Sequence, residues 1–185
     1  MFWRTYRGRV LHQTLSGVYV YQNARYRWLT FGDDAIQTCL HRRHPDVPVL
    51  PYVPDFIGPA RLWPGRVCLL GLGGGGVLHA LSPFFHGAQV HVVEVHAEVI
   101  QIARDYFMID KLEGLNIIHE DALSFLSHAT QSYDHLLVDI FSTSGFPVHC
   151  DALNFFHHLL LGLKISPISI NLSLIWPQAT CYLLN

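Results

Sequence analysis

The stretch Val67-Cys-Leu-Leu-Gly-Leu-Gly-Gly-Gly-Gly76, followed by Val90-His-Val-Val-Glu94, decides the fold. Val67–Leu70 is an apolar run too short for a core helix and closed by glycine, so it reads as a buried strand. Gly71–Gly76 is a glycine turn, and Val77–Phe85 can form a short helix whose regularity Pro83 limits. Val90–Glu94 is the next strand, and 97–107 is helical, with Val99, Ile102, Ala103 and Tyr106 on one face at i, i+3, i+4, i+7 spacing. Leu115–Ile118 is a third strand. A helix follows over Ala122–His128, with Asp121 as its N-cap. His135–Ile140 is a fourth strand, Asp151 caps a helix reaching Leu161, and Ile168–Leu172 is a fifth strand. Strands alternating with helices predict an α/β, Rossmann-like architecture: a mostly parallel sheet joined by right-handed crossovers.

Outward from this core the pattern changes. Residues 1–44 read as a small β-rich region. Gly17–Gln22 is aromatic and β-branched, Asn23-Ala-Arg25 looks like a turn, Tyr26–Phe31 returns as a strand, and Gly32-Asp33-Asp34 ends it. Residues 45–65 carry Pro45, Pro48, Pro51, Pro54, Pro59 and Pro64, which exclude a long helix and leave a connector. Residues 66–185 form the expected nucleotide-binding domain.

Composition narrows the function. Half of the 185 residues are hydrophobic, and only 14% are charged against about 25% in ordinary domains, so hidden surface and a homo-oligomer are expected. The formal charge of -2 gives no basic footprint, which argues against nucleic acid as the partner. No run of 18 apolar residues is present, so no membrane span is expected, and the first residues lack the apolar segment of a signal peptide. The cysteines Cys39, Cys68, Cys150 and Cys181 show no disulfide framework, and a cytoplasmic location fits. Among 13 histidines the tightest group is Cys39, His41 and His44; it lacks a fourth ligand and runs into Pro45, so it reads as a polar turn and no metal is expected.

Ligands of open α/β sheets bind at the carboxyl ends of the strands, and candidate site residues lie there. The glycines let backbone approach a ligand closely. Glu94, closing the second strand, can accept from both ribose hydroxyls. Asp121 can accept from an adenine amino group, with Ala122 facing the ring, and can also simply cap its helix. Asp139, a carboxylate after an apolar strand, faces the crevice or carries a burial penalty. Gly71, Gly73 and Gly76 satisfy G-x-G-x-x-G, so an NAD-linked oxidoreductase is a rival. The joint presence of Asp121 and Asp139 favours an adenosyl-sulfonium site, one acid for the base and one for the reacting centre.

The run VCLLGLGGGGVLHAL…VHVVEVHAEVIQIARDYF…NIIHEDALSFL…YDHLLVDIF resembles the core of spermidine synthase-like proteins, the polyamine aminopropyltransferases of the class I methyltransferase superfamily. YRWLTFGDDAIQT resembles their N-terminal β region, and GFPVHCDALNFFHHLLLGL…ISINL resembles the stretch after the fourth strand. The resemblance covers about Arg9 to Leu172. It implies that Gly71, Gly73 and Gly75 cradle the methionine-derived part of S-adenosylmethionine or its decarboxylated form. It implies further that Glu94 holds the ribose, Asp121 with Ala122 the adenine, and that Asp139 faces the reacting centre while Gln37 covers the ligand. The acceptor would be a small molecule, such as an amine, receiving a methyl or aminopropyl group.

Three positions depart from the family pattern. An aspartate of the glycine loop is Gly74 here, a second aspartate after the fourth strand is Ser142, and an aspartate at the next helix is His96. The first two acids bind and deprotonate the amine, so their loss keeps open a non-catalytic, nucleoside-binding reading. The third weakens helix capping. After Leu172 the expected helix and antiparallel strands do not fit into Ser173–Asn185, so the C-terminal strands are expected to be abbreviated and the fifth strand to be an edge that invites association.

Overall fold

The computed structural model describes residues 8–32, 35–85, 89–140 and the backbone of residues 170–171. Ser142, the expected helix after Asp151 and the tail from Ser173 lie outside the described residues.

Strands β1 (Arg9–Gln13), β2 (Val18–Gln22), β3 (Tyr26–Phe31) and β4 (Ala35–His41) form an antiparallel sheet in that order. Asn23 makes the β2–β3 turn: its Oδ1 accepts the N–H groups of Arg25 and Tyr26 at 2.9 and 2.8 Å. The proline-rich segment then carries only two short helices, α1 (Val53–Phe56) and α2 (Gly58–Leu62), each with a proline in its first turn.

The second sheet contains β5 (Val67–Leu70), β6 (Val90–Glu94), β7 (Leu115–His119), β8 (His135–Val138) and β9 (Ile170–Asn171), in the order β7-β6-β5-β8-β9 with every pair parallel. Between its strands run α3 (Gly76–Leu81), α4 (Ala97–Phe107) and α5 (Ala122–His128). α3 gives way at Ser82–Phe84 to a single 3-10 turn, where Pro83 lacks the N–H that a longer helix needs. β8 ends at Val138, so Asp139 stands just beyond the strand rather than inside it.

All four residues of β5 and of β8 are buried, as parallel strands covered on both faces must be. On one face Cys68, Leu70, Val93 and Val138 pack on Phe125 and Leu126 of α5. On the other, Leu69, Val92 and Leu137 pack on Leu78 and Ala80 of α3, on Ala103 of α4 and on Phe56 and Ile57 of the proline-rich segment. Each Val, Leu, Ile or Phe among them contributes about 1.5–3 kcal/mol relative to exposure. α4 is shared between the two sheets, because its Ile102 and Phe107 pack with Val18, Val20, Leu29 and Leu40 of the antiparallel sheet. The Arg27 guanidinium donates to the Tyr106 carbonyl and Ser16 bonds Glu98 along the same seam. This seam places β4 beside the glycine turn. No helix among the described residues is long and apolar enough to cross a membrane.

Candidate active site at the carboxyl edge of the parallel sheet

In the order β7-β6-β5-β8-β9 the chain leaves β5 toward β6 on one side and reaches β8 on the other. The crevice for a ligand therefore opens above the carboxyl ends of β5 and β8. Gly71 occupies that point. Its φ of 96° is a left-handed conformation that favours glycine, and a Cβ there would collide with the Asp139 carbonyl. The Asp139 N–H in turn donates to the Leu70 carbonyl at 2.8 Å, so the loop and Asp139 are held edge to edge. Gly73 and Gly75 also have positive φ, and Gly75 is the N-cap of α3.

The loop is held from two sides. The Glu94 carboxylate, with the residue 8% exposed, accepts the Leu72 N–H at 3.0 Å through Oε2 and the His96 N–H at 2.9 Å through Oε1. Glu94 is thus not a solvated strand-end carboxylate; it joins the glycine turn to the start of α4. Each of its oxygens keeps a further lone pair. From the other side the Thr38 hydroxyl of β4 accepts the Gly74 N–H at 2.8 Å.

His96 is the N-cap of α4 and makes no side-chain capping bond. Asp121 is the N-cap of α5 and accepts the Ser124 N–H at 3.0 Å through Oδ1. It is exposed, with Ala122 half-buried behind it. The Glu120 N–H donates to the Glu94 carbonyl at 3.1 Å, so Asp121 stands one residue beyond the point where the ends of β6 and β7 meet.

Asp139 and Gln37 line one concavity, together with Thr38, Tyr52 and Leu72. The Tyr52 hydroxyl donates to Asp139 Oδ2 at 3.3 Å. Asp139 keeps some accessible surface, but its carboxyl group is enclosed, and burial pushes its pKa up to about 7 while the Tyr52 hydrogen bond opposes that rise. Burial first, and the neighbouring Asp139 second, raise the Tyr52 hydroxyl above its ordinary range. A carboxyl group poised near neutrality can hold or accept a proton at physiological pH.

The structure therefore gathers the glycine loop, Glu94, Gln37 and Asp139 about the β5–β8 crevice and sets Asp121 with Ala122 at its β7 side. Two residues of this arrangement carry no motif in the sequence. Thr38 follows Gln37 on the same strand, and Tyr52 is an aromatic enclosed by Pro51 and Pro54; neither position signals a contact 36 or 87 residues away. The turn after β4 closes on His41, whose Nδ1 accepts the Arg43 and His44 N–H groups at 3.2 Å each, and Cys39 is buried on the strand. Among the described residues no three His, Cys, Asp or Glu side chains are grouped to hold a metal ion.

No family model matches the chain. A polyamine aminopropyltransferase from Vibrio vulnificus is 28% identical over 152 residues, covering 76% of this chain and 51% of that protein. The chain is similar to polyamine aminopropyltransferases. A second such aminopropyltransferase, from Neisseria meningitidis, is 27% identical over 65% of this chain and 47% of its own length. The chain thus spans about half the length of these curated aminopropyltransferases. Among solved structures, a probable spermidine synthase from Corynebacterium glutamicum superposes with a TM-score of 0.69 at 18% identity, covering 84% of this chain and 60% of that one. A spermidine synthase in complex with the transition-state analogue AdoDATO gives 0.61 at 18% identity, over 84% of this chain and 55% of that one. Human methyltransferase-like protein 13 in complex with SAH gives 0.52 at 18% identity, over 62% and 61%. The fold is that of spermidine synthases and of class I methyltransferase-like proteins.

Proposed function

We propose that the chain binds S-adenosylmethionine or its decarboxylated form over the glycine loop and directs transfer of an alkyl group from it to an amine. Aminopropyl transfer is the form its relatives favour. One observation carries the reading: Asp139, with its pKa near neutrality, abuts Gly71 at the crevice and bonds Tyr52 within the concavity that Gln37 lines. The residues present fit an adenosyl-sulfur ligand. The loop has no side chain to block backbone approach at Gly71, Gly73 and Gly75. The Glu94 oxygens keep lone pairs for ribose hydroxyls, and the exposed Asp121 carboxylate, with Ala122 beside it, keeps acceptor capacity for an adenine amino group.

The ligand supplies a carbon made electrophilic by the neighbouring sulfonium. The chain supplies position and one proton acceptor. Glu94 and Asp121 orient the nucleoside, and Gln37 covers it from β4. Asp139 takes a proton from the incoming ammonium, which frees the nitrogen lone pair, and Tyr52 holds the carboxylate in place. Orientation of this kind is the main source of rate in a displacement that needs no further catalyst.

Calorimetry with methylthioadenosine, S-adenosylmethionine and NAD side by side tests the reading. The expected result is binding of the adenosyl-sulfur compounds, weakened at Glu94→Ala by about 1–3 kcal/mol. Tight NAD binding without either adenosyl-sulfur compound would overturn it. A nucleoside-binding chain without turnover is the second reading, favoured by Gly74; adenosyl-sulfur binding with no product from any amine would select it.

A further inference from the structure

Charge is divided unevenly along the chain. Residues 1–44 hold seven of the twelve arginines and lysines and two of the fourteen acids, Asp33 and Asp34, a net of +5 in a chain of net -2, so residues 45–185 carry -7. The fold gathers five of those arginines at one end of the antiparallel sheet. Arg9 stands opposite Gln22, and Gln22 opposite Arg27, so Arg9 and Arg27 share a face with their backbones about 10 Å apart, two strand spacings. The Arg42 N–H donates to the Arg25 carbonyl at 2.9 Å, which sets Arg25, before β3, beside Arg42 and Arg43, after β4. Asp33 and Asp34 follow Gly32, at the opposite end of β3 from Tyr26. Arg9, Arg25, Arg42 and Arg43 are exposed, and among the described residues no carboxylate forms an ion pair with any of the five, that of Asp46 in the next turn included.

Like charges on facing strand ends repel. The repulsion reaches the half-buried Arg27, whose pKa is lowered by burial first and by the Arg42 charge second. Two of the guanidinium groups are held by uncharged acceptors. Arg27 donates to Gln22 Oε1 and to the Tyr106 carbonyl, and Arg42 donates to the Asn23 and Ala24 carbonyls at 3.2 and 3.1 Å. These bonds orient the two groups and leave their charge without a counter-charge. We infer that this end of the antiparallel sheet is a docking surface for an acidic segment of a partner protein. A guanidinium presents parallel donors that match a carboxylate bidentately. The five groups are spread over strand ends and turns, which suits an extended run of carboxylates better than one compact anion. A nucleic acid fits less well, because its phosphates continue past the patch toward a remainder of the chain that carries -7. A short acidic segment senses chiefly the charges within about 8 Å, the screening length at physiological salt.

The experiment is fluorescence anisotropy of a fluorescein-labelled decaglutamate peptide and of a labelled oligothymidine of equal charge, each titrated with the full chain at low salt. The expected result is that the peptide binds more tightly than the oligonucleotide. The double variant Arg25→Glu/Arg43→Glu should weaken the peptide at least about tenfold, since like charges then face each other across the contact. Arg25→Gln/Arg43→Gln, which removes charge without reversing it, should fall between that variant and wild type. Lys111→Glu changes the net charge by the same two units as one such reversal but lies after α4, and should leave peptide affinity within about twofold. Thermal melts confirm that each variant is folded. No peptide binding by the wild-type chain, or equal binding by wild type and Arg25→Glu/Arg43→Glu, overturns the docking surface. Oligothymidine binding as tightly as the peptide overturns its assignment to an acidic protein segment.

Discussion

The Thr38 hydroxyl accepts the N–H of Gly74 at 2.8 Å, so a strand of the antiparallel sheet closes the glycine loop of the parallel one. The bond is buried, and the Thr38 methyl packs between Gly74 and Gly76. Thr38→Val keeps the shape but leaves a buried N–H without an acceptor, and should cost about 1–3 kcal/mol. Thr38→Ser should retain most of the stability. Urea denaturation of the two variants decides the point; equal stability of Thr38→Val and wild type would refute the closing role.

Gly74→Asp places in the loop the acid that the resemblance to spermidine synthase-like proteins implies, yet it should not create a putrescine site. The new Cβ meets Thr38 and the Phe107 ring at close range, and overpacking of that kind costs about 1–3 kcal/mol. A lower melting temperature with no gain in putrescine binding is expected. A stable Gly74→Asp chain that binds putrescine would show that Phe107 yields easily.

Glu94→Gln separates the structural duty of Glu94 from any ligand contact. The amide keeps one acceptor oxygen, but its NH2 group then faces a backbone N–H, either of Leu72 or of His96. Loss of about 1–3 kcal/mol of stability without ligand is expected from that unpaired buried donor. Hydrogen exchange at Leu72 and His96 should accelerate, and unchanged exchange at both would contradict the anchoring.

Stability should respond to pH through groups of opposite sign. The Asp139 carboxyl rises from 3.8 to about 7 on folding, so the folded state holds a proton that the unfolded state has released. Its contribution is complete below about 4 and is lost as pH climbs toward 7. His79 and His91 are both lowered from 6.5 by burial, so they contribute stability above that value and lose it as pH falls below. His79 donates through Nε2 to the Phe107 carbonyl at 2.6 Å, a bond that opposes the shift, while burial favours the neutral ring. Asp139→Asn should remove the decline between about pH 4 and 7 while leaving the acid-side loss in place. Chemical denaturation across that range measures both; a wild-type-like slope in Asp139→Asn would dismiss the assignment to Asp139.

The parallel sheet was readable because Val67–Leu70, buried along its whole length, appears as an unbroken apolar run, and Val90–Glu94, also buried throughout, carries three valines after the glycine turn and short helix. Asp121 was readable as a cap because its bond to Ser124 is local. β1 and β4 were not individually readable. β1 is mostly exposed, and register shifts at Val10/His12 and at Leu29/Thr30 interrupt the alternation that marks a strand. Tyr52 could not be found from sequence because its partner Asp139 lies 87 residues away, and nothing in a proline-rich segment encodes that distance. Phe107 was legible as a helix residue, but its place beneath Gly74 depends on how α4 lies against both sheets.

The seam between the antiparallel sheet and α4 has a consequence for synthesis on the ribosome. Val18, Val20, Leu29 and Leu40 emerge first, and the residues that cover them, Ile102 and Phe107, emerge later. With roughly 60 residues still to be translated at about 5–20 per second, the sheet waits some 3–12 seconds with an oily face uncovered. That interval is long beside hairpin formation, which takes about 1–10 microseconds. A holding chaperone would have time to engage this face on the nascent chain before α4 arrives to release it.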